Sequence, residues 1–438
     1  MGKLTFIGAG STVFAKNVLG DVILTPELEG FELALYDIDP VRLDDSFKML
    51  QNINVNTGGK FVINAYTDSK EAFKNANYLV NAIQVGGYDP ATIIDFEIPK
   101  KYGLRQTIAD TLGIGGIFRA LRTIPVMLDY AHQIEELCPD AWLLNYTNPM
   151  GMITGAILRG SNVKTVGLCH SVQVCADSLL RTLDMKDRYK HIVQKVAGIN
   201  HMGWLLEIKG DGRDIYPEIK ERFAEMEKNG GLKDSRNLVR LEIMKRFGYY
   251  VTESSEHNAE YMPYFIKDKY PELIERYHIP LDEYPRRCVN QINRWESMRK
   301  SLVEDTKIEH KKSNEYACKI ITAIETDTPY SIGGNVINNG CITNLPDETC
   351  VEVPCLVDGN GVTPCYVGAL PQQLAALNRT NVNVQLLTIE AALTLKKEYV
   401  YQAALLDPHT SSELSIDHII SLCDDLFEAH KDMLPKYK

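Results

Sequence analysis

Long apolar runs and an excess of basic residues are both absent from this sequence. No run of about 18 consecutive apolar residues occurs in the 438-residue chain, so we expect no transmembrane helix. Lys and Arg number 47 against 58 Asp and Glu, and the net charge of −11 argues against nucleic acid or an anionic membrane as a partner. An apolar leader segment with a cleavage site is also absent, so we expect a cytoplasmic protein.

Cysteines are present, but their spacing fits no zinc motif. The ten cysteines are scattered, and without a secretion signal we expect free thiols in a reducing compartment. The tightest group is Cys350, Cys355 and Cys365, which we expect to be small buried side chains. Internal repeats and low-complexity stretches are absent as well, so the chain reads as an ordinary globular protein.

Alternating strands and helices dominate the first part of the chain. Short apolar runs separated by segments of helical period predict an α/β fold, a Rossmann-type doubly wound parallel sheet with helices on both faces. The predicted strands are 4–7, 31–36, 61–66, 78–83, 141–146 and 164–169, and the longest predicted helix is 117–137.

After about residue 190 the pattern changes. An antiparallel strand pair is predicted at 193–199 and 204–208, and helices at 215–247, 381–397 and 418–430. We therefore divide the chain into a first domain, 1–190, and a second α+β domain, 191–438. Since no linker marks the boundary, we expect the two parts to pack closely.

A glycine turn follows the first predicted strand. Gly8, Gly10 and Ser11 open a helix where a dinucleotide-binding loop lets the backbone approach a pyrophosphate. Val13 replaces the third glycine of the usual fingerprint, so the motif alone also fits an ordinary turn. Asp37 ends the second strand, where a carboxylate binds the adenosine ribose and favours NAD over NADP. The first domain is therefore predicted to bind NAD.

Asp37 has a competing interpretation as the cap of the helix that follows it. Asp39 fits that role better, because it directly precedes Pro40 at the first helical position.

Polar or glycine residues follow most of the predicted strands. Since the carboxyl ends of parallel strands meet at one edge of the sheet, these residues predict a ligand site there. They are 8–10, Asp37, 84–87 with Gly86, 145–148 with Asn145 and Asn148, and 169–170.

Cys169 and His201 point to a metal. A thiolate and an imidazole suit a borderline divalent cation, and two protein ligands leave positions open for water or substrate hydroxyls. Cys169 with His170 also fits a nucleophile and base for acyl transfer, or a structural pair.

Four motifs together resemble glycoside hydrolase family 4, over essentially the whole chain. They are Gly8-Ala9-Gly10-Ser11, Asn145-Tyr146-Thr147-Asn148-Pro149, Cys169-His170-Ser171-Val172 and Asn200-His201-Met202. Asp110-Thr111 and the segments 252–257 and 407–410 are similar to the bacterial α-galactosidase (melibiase) branch of that family. The resemblance implies a lactate/malate dehydrogenase-like Rossmann fold, NAD and Mn²⁺ as cofactors, and a homodimer or homotetramer.

The resemblance also implies a redox route to hydrolysis, an exception to the two-carboxylate scheme of most glycosidases. NAD takes a hydride from the sugar C3, and the ketone acidifies the C2 proton, which a base removes. The glycosidic oxygen leaves by elimination, water adds, and NADH returns the hydride. Mn²⁺ binds O2 and O3 and stabilises the enediolate.

Site roles follow from the same resemblance. Cys169 and His201 are the implied metal ligands, Asn148 contacts the sugar near O3, and Asn145 faces the nicotinamide. Tyr261 is the candidate base for the C2 proton, although a packed aromatic is the competing interpretation.

Other candidates complete the predicted catalytic set. Asp110 and Glu256 are alternative bases. His170 stands where phospho-glycosidases of the family have Asp, which argues for unphosphorylated sugars and makes His170 a candidate acid. Arg286 and Arg287 either bind a substrate anion or form surface ion pairs, and we favour surface pairs.

The sequence therefore predicts an α-galactosidase acting on melibiose-type substrates, with residues 191–438 as the substrate, catalytic and oligomerisation domain. An α-glucosidase or a uronic-acid-specific glycosidase of the same family is the close alternative, because sugar epimers differ by few contacts. A 2-hydroxyacid dehydrogenase is disfavoured, since it has no use for Cys169 and His201. A non-catalytic NAD sensor is a third alternative.

Overall fold

The computed structural model describes residues 2–438 and contains thirteen strands in one continuous sheet within that range. In chain order they are β1 (Lys3–Ile7), β2 (Glu32–Tyr36), β3 (Val62–Tyr66), β4 (Tyr78–Asn81), β5 (Trp142–Asn145), β6 (Lys164–Leu168), β7 (Ile192–Ile199), β8 (Met202–Gly210), β9 (Arg213–Asp214), β10 (Tyr250–Val251), β11 (Tyr330–Ile337), β12 (Cys350–Asp358) and β13 (Gly361–Pro364).

Six parallel strands make the first half of the sheet. Their order is β3-β2-β1-β4-β5-β6, and each of the five pairings is parallel. This is the doubly wound order of dinucleotide-binding folds, so the predicted fold class is confirmed. Strands such as β1 and β4 are buried along their whole length, because helices cover both faces.

Helices fill the connections between the strands. In chain order they are α1 (Thr12–Ile23), α2 (Pro40–Asn56), α3 (Ser69–Phe73), α4 (Ile93–Lys101), α5 (Gly113–Leu137), α6 (Met150–Gly160), α7 (His170–Thr182), α8 (Tyr216–Lys228), α9 (Leu238–Phe247), α10 (Ser255–Tyr261), α11 (Glu272–Arg276), α12 (Glu283–Arg299), α13 (Ala317–Thr326), α14 (Gln372–Thr394), α15 (Lys397–Leu406), α16 (Pro408–Glu413) and α17 (Ile416–Ala429).

The second half of the sheet is antiparallel. β11 pairs with β6 and β12, β12 pairs with β7, and β8 lies between β7 and β10. The predicted antiparallel pair, β7 and β8, is confirmed. Because β11 continues the sheet directly from β6, both halves of the chain share one sheet. The late helix α14 returns to pack against α5 and α6 of the first half.

Two predicted helices differ from the observed ones. The predicted helix 381–397 begins earlier, at Gln372, and ends at Thr394, because Leu395 adopts a φ of +57° that interrupts the helix. The predicted helical region 215–247 contains two helices, α8 and α9. Across residues 2–438, no helix is both long and apolar enough to cross a bilayer.

Candidate active site

A tight glycine turn joins β1 to α1 at the carboxyl edge of the parallel strands. Gly8 has a φ of +88°, and a Cβ on it would lie 3.0 Å from the carbonyl oxygen of Ala82. A Cβ on Gly10 would lie 2.7 Å from Oδ2 of Asp37. Ser11 donates its hydroxyl to Gly8 O at 2.7 Å instead of capping α1. The N-terminus of α1 is thus left for an anion such as a pyrophosphate.

Asp37 faces this turn from the end of β2. Its Oδ2 accepts the Gly10 N–H at 2.6 Å, and its Oδ1 accepts the Asp39 N–H at 2.9 Å. Asp39 caps α2 by accepting the N–H groups of Val41 at 2.9 Å and Arg42 at 3.1 Å, so the predicted cap is confirmed. Each Asp37 oxygen keeps capacity for a further bond, as a ribose hydroxyl requires.

Gly86 and Asn145 were the other predicted cofactor residues. Gly86 has a φ of +83°, and a Cβ on it would lie 2.5 Å from the Cβ of Ala91. Asn145 is fully buried at the end of β5. Its Oδ1 accepts from Asn81 Nδ2 at 2.8 Å, and its Nδ2 donates to Thr154 Oγ1 at 3.0 Å. These bonds make Asn145 a support for the chain segment that leads to Asn148.

Three side chains form a potential cation site at the same edge. One donor atom each of Cys169, His201 and Glu253 lies within 4.8 Å of the other two. We call these three residues the cation cluster; within residues 2–438 it is the one such group of three or more His, Cys, Asp or Glu. Cys169 and His201 were predicted, whereas Glu253 was not.

The local fold explains how the cluster assembles. Cys169 follows β6, and His201 lies in the two-residue turn of the β7–β8 hairpin. Glu253 follows β10, which pairs with β8 next to that turn. His201 and Glu253 both have a φ of +63°, an unfavourable conformation for such residues that concentrates at functional sites.

The protonation states suit cation binding. Burial lowers the pKa of His201 to about 4, which leaves the imidazole neutral at pH 7. Burial, followed by the charges of Glu352 and Glu253, raises the pKa of the Cys169 thiol. Burial opposes ionisation of Glu253, but His201 and His257 outweigh it and lower the Glu253 pKa. A neutral imidazole, a carboxylate and a thiol that ionises on binding fit a borderline divalent cation.

His257 and Asp110 lie beside the cluster as a charged pair. His257 Nδ1 is 3.5 Å from Glu253 Oε1, and its Nε2 is 3.5 Å from Asp110 Oδ1. Burial opposes protonation of His257, but Glu253 and Asp110 outweigh it and raise its pKa to about 9. Burial opposes ionisation of Asp110, but His257 and Arg119 outweigh it and lower its pKa. Asp110 is therefore a poor proton acceptor near neutral pH.

Tyr261 is buried next to the cluster. Its ring centroid is 6.3 Å from that of His201. Within residues 2–438 its hydroxyl forms no hydrogen bond, which is costly for a buried polar atom. Burial, together with the charges of Asp110 and Glu253, raises the Tyr261 pKa well above its usual range. A positive charge at the cation cluster would act in the opposite direction.

His170 opens α7 and contacts a buried carboxylate. Its Nε2 donates to Glu315 Oε2 at 2.6 Å, and this bond raises the His170 pKa. The side chain stays 43% exposed, so it combines a fixed orientation with access to solvent. Sequence reasoning missed Glu315, because no local motif connects it with His170.

The other predicted groups lie at the rim. Arg287 pairs with Glu283 at 2.7 Å and with Glu256 at 3.4 Å, and Arg286 also pairs with Glu283. These two arginines therefore form surface ion pairs, as we favoured. Glu256 pairs with Arg287 and is not a member of the cation cluster.

The cysteine expectation holds in part. Cys350 and Cys355 are buried on β12, as expected, but Cys365 is exposed beyond β13. The expectation of a buried Cys365 is therefore wrong, because the chain leaves the sheet at Pro364 and carries that side chain outward.

This combination of a dinucleotide-type sheet and a cation cluster at its ligand edge is typical of cofactor-dependent enzymes. The chain belongs to the family 4 glycosyl hydrolases. The family model for these enzymes matches residues 3–185, and the model for the family 4 glycosyl hydrolase C-terminal domain matches residues 196–410. The protein is therefore a glycoside hydrolase, and the alternative of a 2-hydroxyacid dehydrogenase is set aside.

Individual relatives agree with this assignment. An alpha-galactosidase of Bacillus subtilis (strain 168) is 63% identical over all 438 residues, with full coverage of both chains. An alpha-galactosidase of Rhizobium meliloti (strain 1021) is 34% identical, over 99% of this chain and 89% of its own.

Solved structures agree on the fold. A 6-phospho-alpha-glucosidase from gut microorganisms, solved in complex with NAD and Mn²⁺, has a TM-score of 0.82 at 22% identity and full coverage of both chains. A lactate dehydrogenase of Eimeria maxima has a TM-score of 0.51 at 14% identity, over 90% of this chain and 96% of its own. The predicted dehydrogenase-like fold is thus confirmed.

Proposed function

We propose that this glycoside hydrolase cleaves α-galactosides of the melibiose type, with NAD and Mn²⁺ as cofactors. The observation that carries the proposal is the cation cluster of Cys169, His201 and Glu253 at the edge of the sheet that holds the glycine turn. The alpha-galactosidase of Bacillus subtilis, 63% identical over the whole chain, supports the choice of sugar. The NAD and Mn²⁺ of the gut 6-phospho-alpha-glucosidase support the choice of cofactors.

The geometry supports the following binding roles. The glycine turn and the α1 N-terminus hold the pyrophosphate of NAD, and Asp37 holds its ribose. The three residues of the cation cluster hold Mn²⁺. When bound, NAD supplies a reversible hydride acceptor and Mn²⁺ a Lewis acid.

Proton transfers are assigned to side chains beside these sites. Tyr261 takes the C2 proton of the sugar; its unpartnered buried hydroxyl next to His201 supports this role. His170 donates a proton to the leaving glycosidic oxygen, held in orientation by Glu315. Asp110 binds rather than reacts, because it stays ionised beside His257.

Substrate orientation is assigned to Asn148. The residue follows β5 with a half-buried side chain, and its backbone carbonyl accepts from Arg119 Nε at 3.2 Å. We propose that its amide contacts the sugar near O3. An α-glucosidase or a uronic-acid-specific glycosidase remains the alternative, and the 34% identical alpha-galactosidase supports the galactoside.

The test is activity after removal and return of each cofactor. Enzyme stripped of NAD and treated with EDTA is assayed on p-nitrophenyl α-galactoside with a reductant, with NAD and Mn²⁺ added singly and together. We expect hydrolysis only when both are present, without accumulation of NADH. Full activity of the stripped enzyme would overturn the proposal, and preferred turnover of the α-glucoside or α-galacturonide would move it to the alternative sugar.

We further propose a cytoplasmic homo-oligomer, divided near residue 190 into the two domains given above. The ten free cysteines support a reducing compartment. The 17-residue helix α12 has no buried residue and exposes Val289 and Ile292, which supports a contact with a second copy. Size-exclusion chromatography with light scattering measures the molar mass of the enzyme and so tests the homo-oligomer. A monomeric mass at assay concentration would contradict it.

A further inference from the structure

Arg119 on α5 is a buried arginine that has no acidic partner. Its residue exposure is 7%, yet within residues 2–438 no carboxylate oxygen lies within 4.0 Å of its guanidinium. Arg122, one turn further along the same helix, pairs with Asp95 at 2.6 Å. A buried charge without an ion partner is costly, so Arg119 requires another explanation.

The contacts of Arg119 place it on the wall of the active site. Nε donates to the carbonyl oxygen of Asn148 at 3.2 Å, and Nη1 donates to the hydroxyl of Tyr284 at 3.1 Å. Tyr284 in turn donates to Oε1 of Gln84, at 3.3 Å, in the loop that follows β4. For the part of the chain that the structure describes, Nη2 makes no hydrogen bond. One edge of the guanidinium therefore keeps its donors unused.

Among the carboxylates, Asp110 has the largest electrostatic influence on Arg119. Their charges interact strongly enough for Arg119 to lower the Asp110 pKa, yet the two groups are too far apart for a salt bridge. Asp110 Oδ1 accepts from Thr111 Oγ1 at 2.7 Å, and among residues 2–438 its Oδ2 has no donor. A guanidinium nitrogen of Arg119 and a carboxylate oxygen of Asp110 thus both lack a protein hydrogen-bond partner in the part of the chain that the structure describes.

We propose that Arg119 Nη2 and Asp110 Oδ2 together bind a hydroxyl group of the substrate sugar, which makes Arg119 a specificity-determining residue. The inference rests on the proposed function and deepens it. A hydroxyl accepts from the guanidinium and donates to the carboxylate at once, so it satisfies both groups. A sugar carboxylate or phosphate fits less well, because Asp110 stays ionised and repels it.

O2 and O3 of the sugar are already assigned to the metal that the cation cluster would hold. Asp110 contacts the cluster through His257, and Arg119 contacts the backbone of Asn148. The candidates are therefore the 4-hydroxyl and 6-hydroxyl groups of the galactoside.

The test is a cycle that removes the side chain and the hydroxyl separately and together. Wild type, R119Q and R119K are assayed, with NAD and Mn²⁺, on p-nitrophenyl α-galactoside and its 4-deoxy and 6-deoxy analogues. We expect R119Q to lower kcat/KM on the parent substrate about 10- to 100-fold, mainly through KM. On one deoxy analogue the same substitution costs little, because the partner is already absent.

The control variant is R246Q, which removes an exposed arginine paired with Glu242 on α9 and should behave as wild type on all substrates. NAD and Mn²⁺ affinities measured by calorimetry should be unchanged in R119Q. If R119Q does not fold, R119K replaces it, because lysine keeps the charge but has fewer hydrogen-bond donors. Its kcat/KM is then compared on the same three substrates.

The outcomes separate the two proposals. No hydrolysis of the α-galactoside by wild type overturns the proposed function and the inference with it. Hydrolysis by wild type with equal R119Q losses on all three substrates overturns the inference alone, as does a loss that appears as weaker NAD binding. Selective loss of p-nitrophenyl α-galacturonide turnover in R119Q would instead assign Arg119 to a sugar carboxylate.

Discussion

At the scale of residues, Glu253 is the least expected member of the cation cluster. Substitution E253Q keeps the shape of the side chain but removes its charge. We expect Mn²⁺ affinity to fall at least about tenfold and activity to recover partly at high Mn²⁺. Calorimetric titration of Mn²⁺ into NAD-loaded enzyme measures this.

Substitution of Cys169 is a second test of the cation cluster. In C169A we expect a larger loss of Mn²⁺ affinity with unchanged NAD affinity, whereas the exposed thiol variant C365S should match wild type. Equal Mn²⁺ affinity in wild type, E253Q and C169A would show that the cation cluster does not bind Mn²⁺.

Asp37 and Asp39 form a matched pair with different roles. In D37N we expect the dissociation constant for NAD to rise about tenfold, because a charged acceptor is lost. In D39A we expect unchanged NAD affinity but a loss of about 0.5–2 kcal/mol in the free energy of unfolding, because α2 loses its cap. Fluorescence titration measures the NAD affinity, and urea unfolding measures the stability. Weaker NAD binding in D39A with unchanged NAD binding in D37N would contradict these roles.

Sequence reasoning found only part of the site at this scale. Cys169 and Asp37 each follow a parallel strand that is recognisable in the sequence as a short apolar run. Their position at the same edge of the sheet is therefore predictable. Glu253 follows β10, a strand of two residues, which leaves no readable hydrophobic pattern. Glu315 contacts His170, and Arg119 contacts Asn148. Both partners lie far away in the sequence, so no local motif indicates these contacts.

At the scale of elements, α10 organises one side of the site. The buried Glu260 accepts the N–H groups of Thr107, Ile108 and Ala109 at 2.6, 3.2 and 3.1 Å. Ala109 has a φ of +48° and precedes Asp110, so this carboxylate fixes the loop that presents Asp110.

Glu260 should therefore matter for both stability and catalysis. In E260A we expect a loss of about 1–3 kcal/mol in the free energy of unfolding, because three buried donors lose their acceptor. We also expect a lower kcat/KM. The control is E275Q, on the short surface helix α11, which should change neither quantity. Wild-type stability of E260A would contradict this role.

Helices and strands with a clear hydrophobic pattern were predictable from the sequence. Strands whose place depends on hydrogen bonding to distant strands were not. The six parallel strands lie within two residues of their predicted bounds. β11 and β12 were missed, since their place depends on antiparallel pairing with each other and with β6 and β7. The end of α14 was misplaced, because Lys396 and Lys397 are good helix formers and nothing in the sequence marks the break at Leu395.

At the scale of the whole molecule, buried ionic contacts join distant segments. Asp21 on α1 accepts from His310 Nε2 at 2.7 Å and from the Ser313 hydroxyl at 2.7 Å. Burial opposes ionisation of Asp21, but these hydrogen bonds outweigh it and lower its pKa. Asp21 therefore stabilises the fold above its ordinary pKa of 3.8, and this contribution is lost as the pH falls below that value.

The pH dependence of stability should show this contact. We expect the stability difference between wild type and D21N to shrink as the pH falls from about 5 to about 3. The midpoint of urea unfolding, followed by tryptophan fluorescence, measures it. A difference that stays constant over this range would show that folding does not lower the pKa of Asp21.

The central claim is that the bond is cleaved only after a base, Tyr261, removes the C2 proton beside the cation cluster. Hydrolysis of the α-galactoside in D₂O with NAD and Mn²⁺, followed by NMR of the released sugar, tests it most directly. We expect deuterium at C2 of the product and its absence from unreacted controls incubated without enzyme. Hydrolysis at full rate with only hydrogen at C2 would contradict the account.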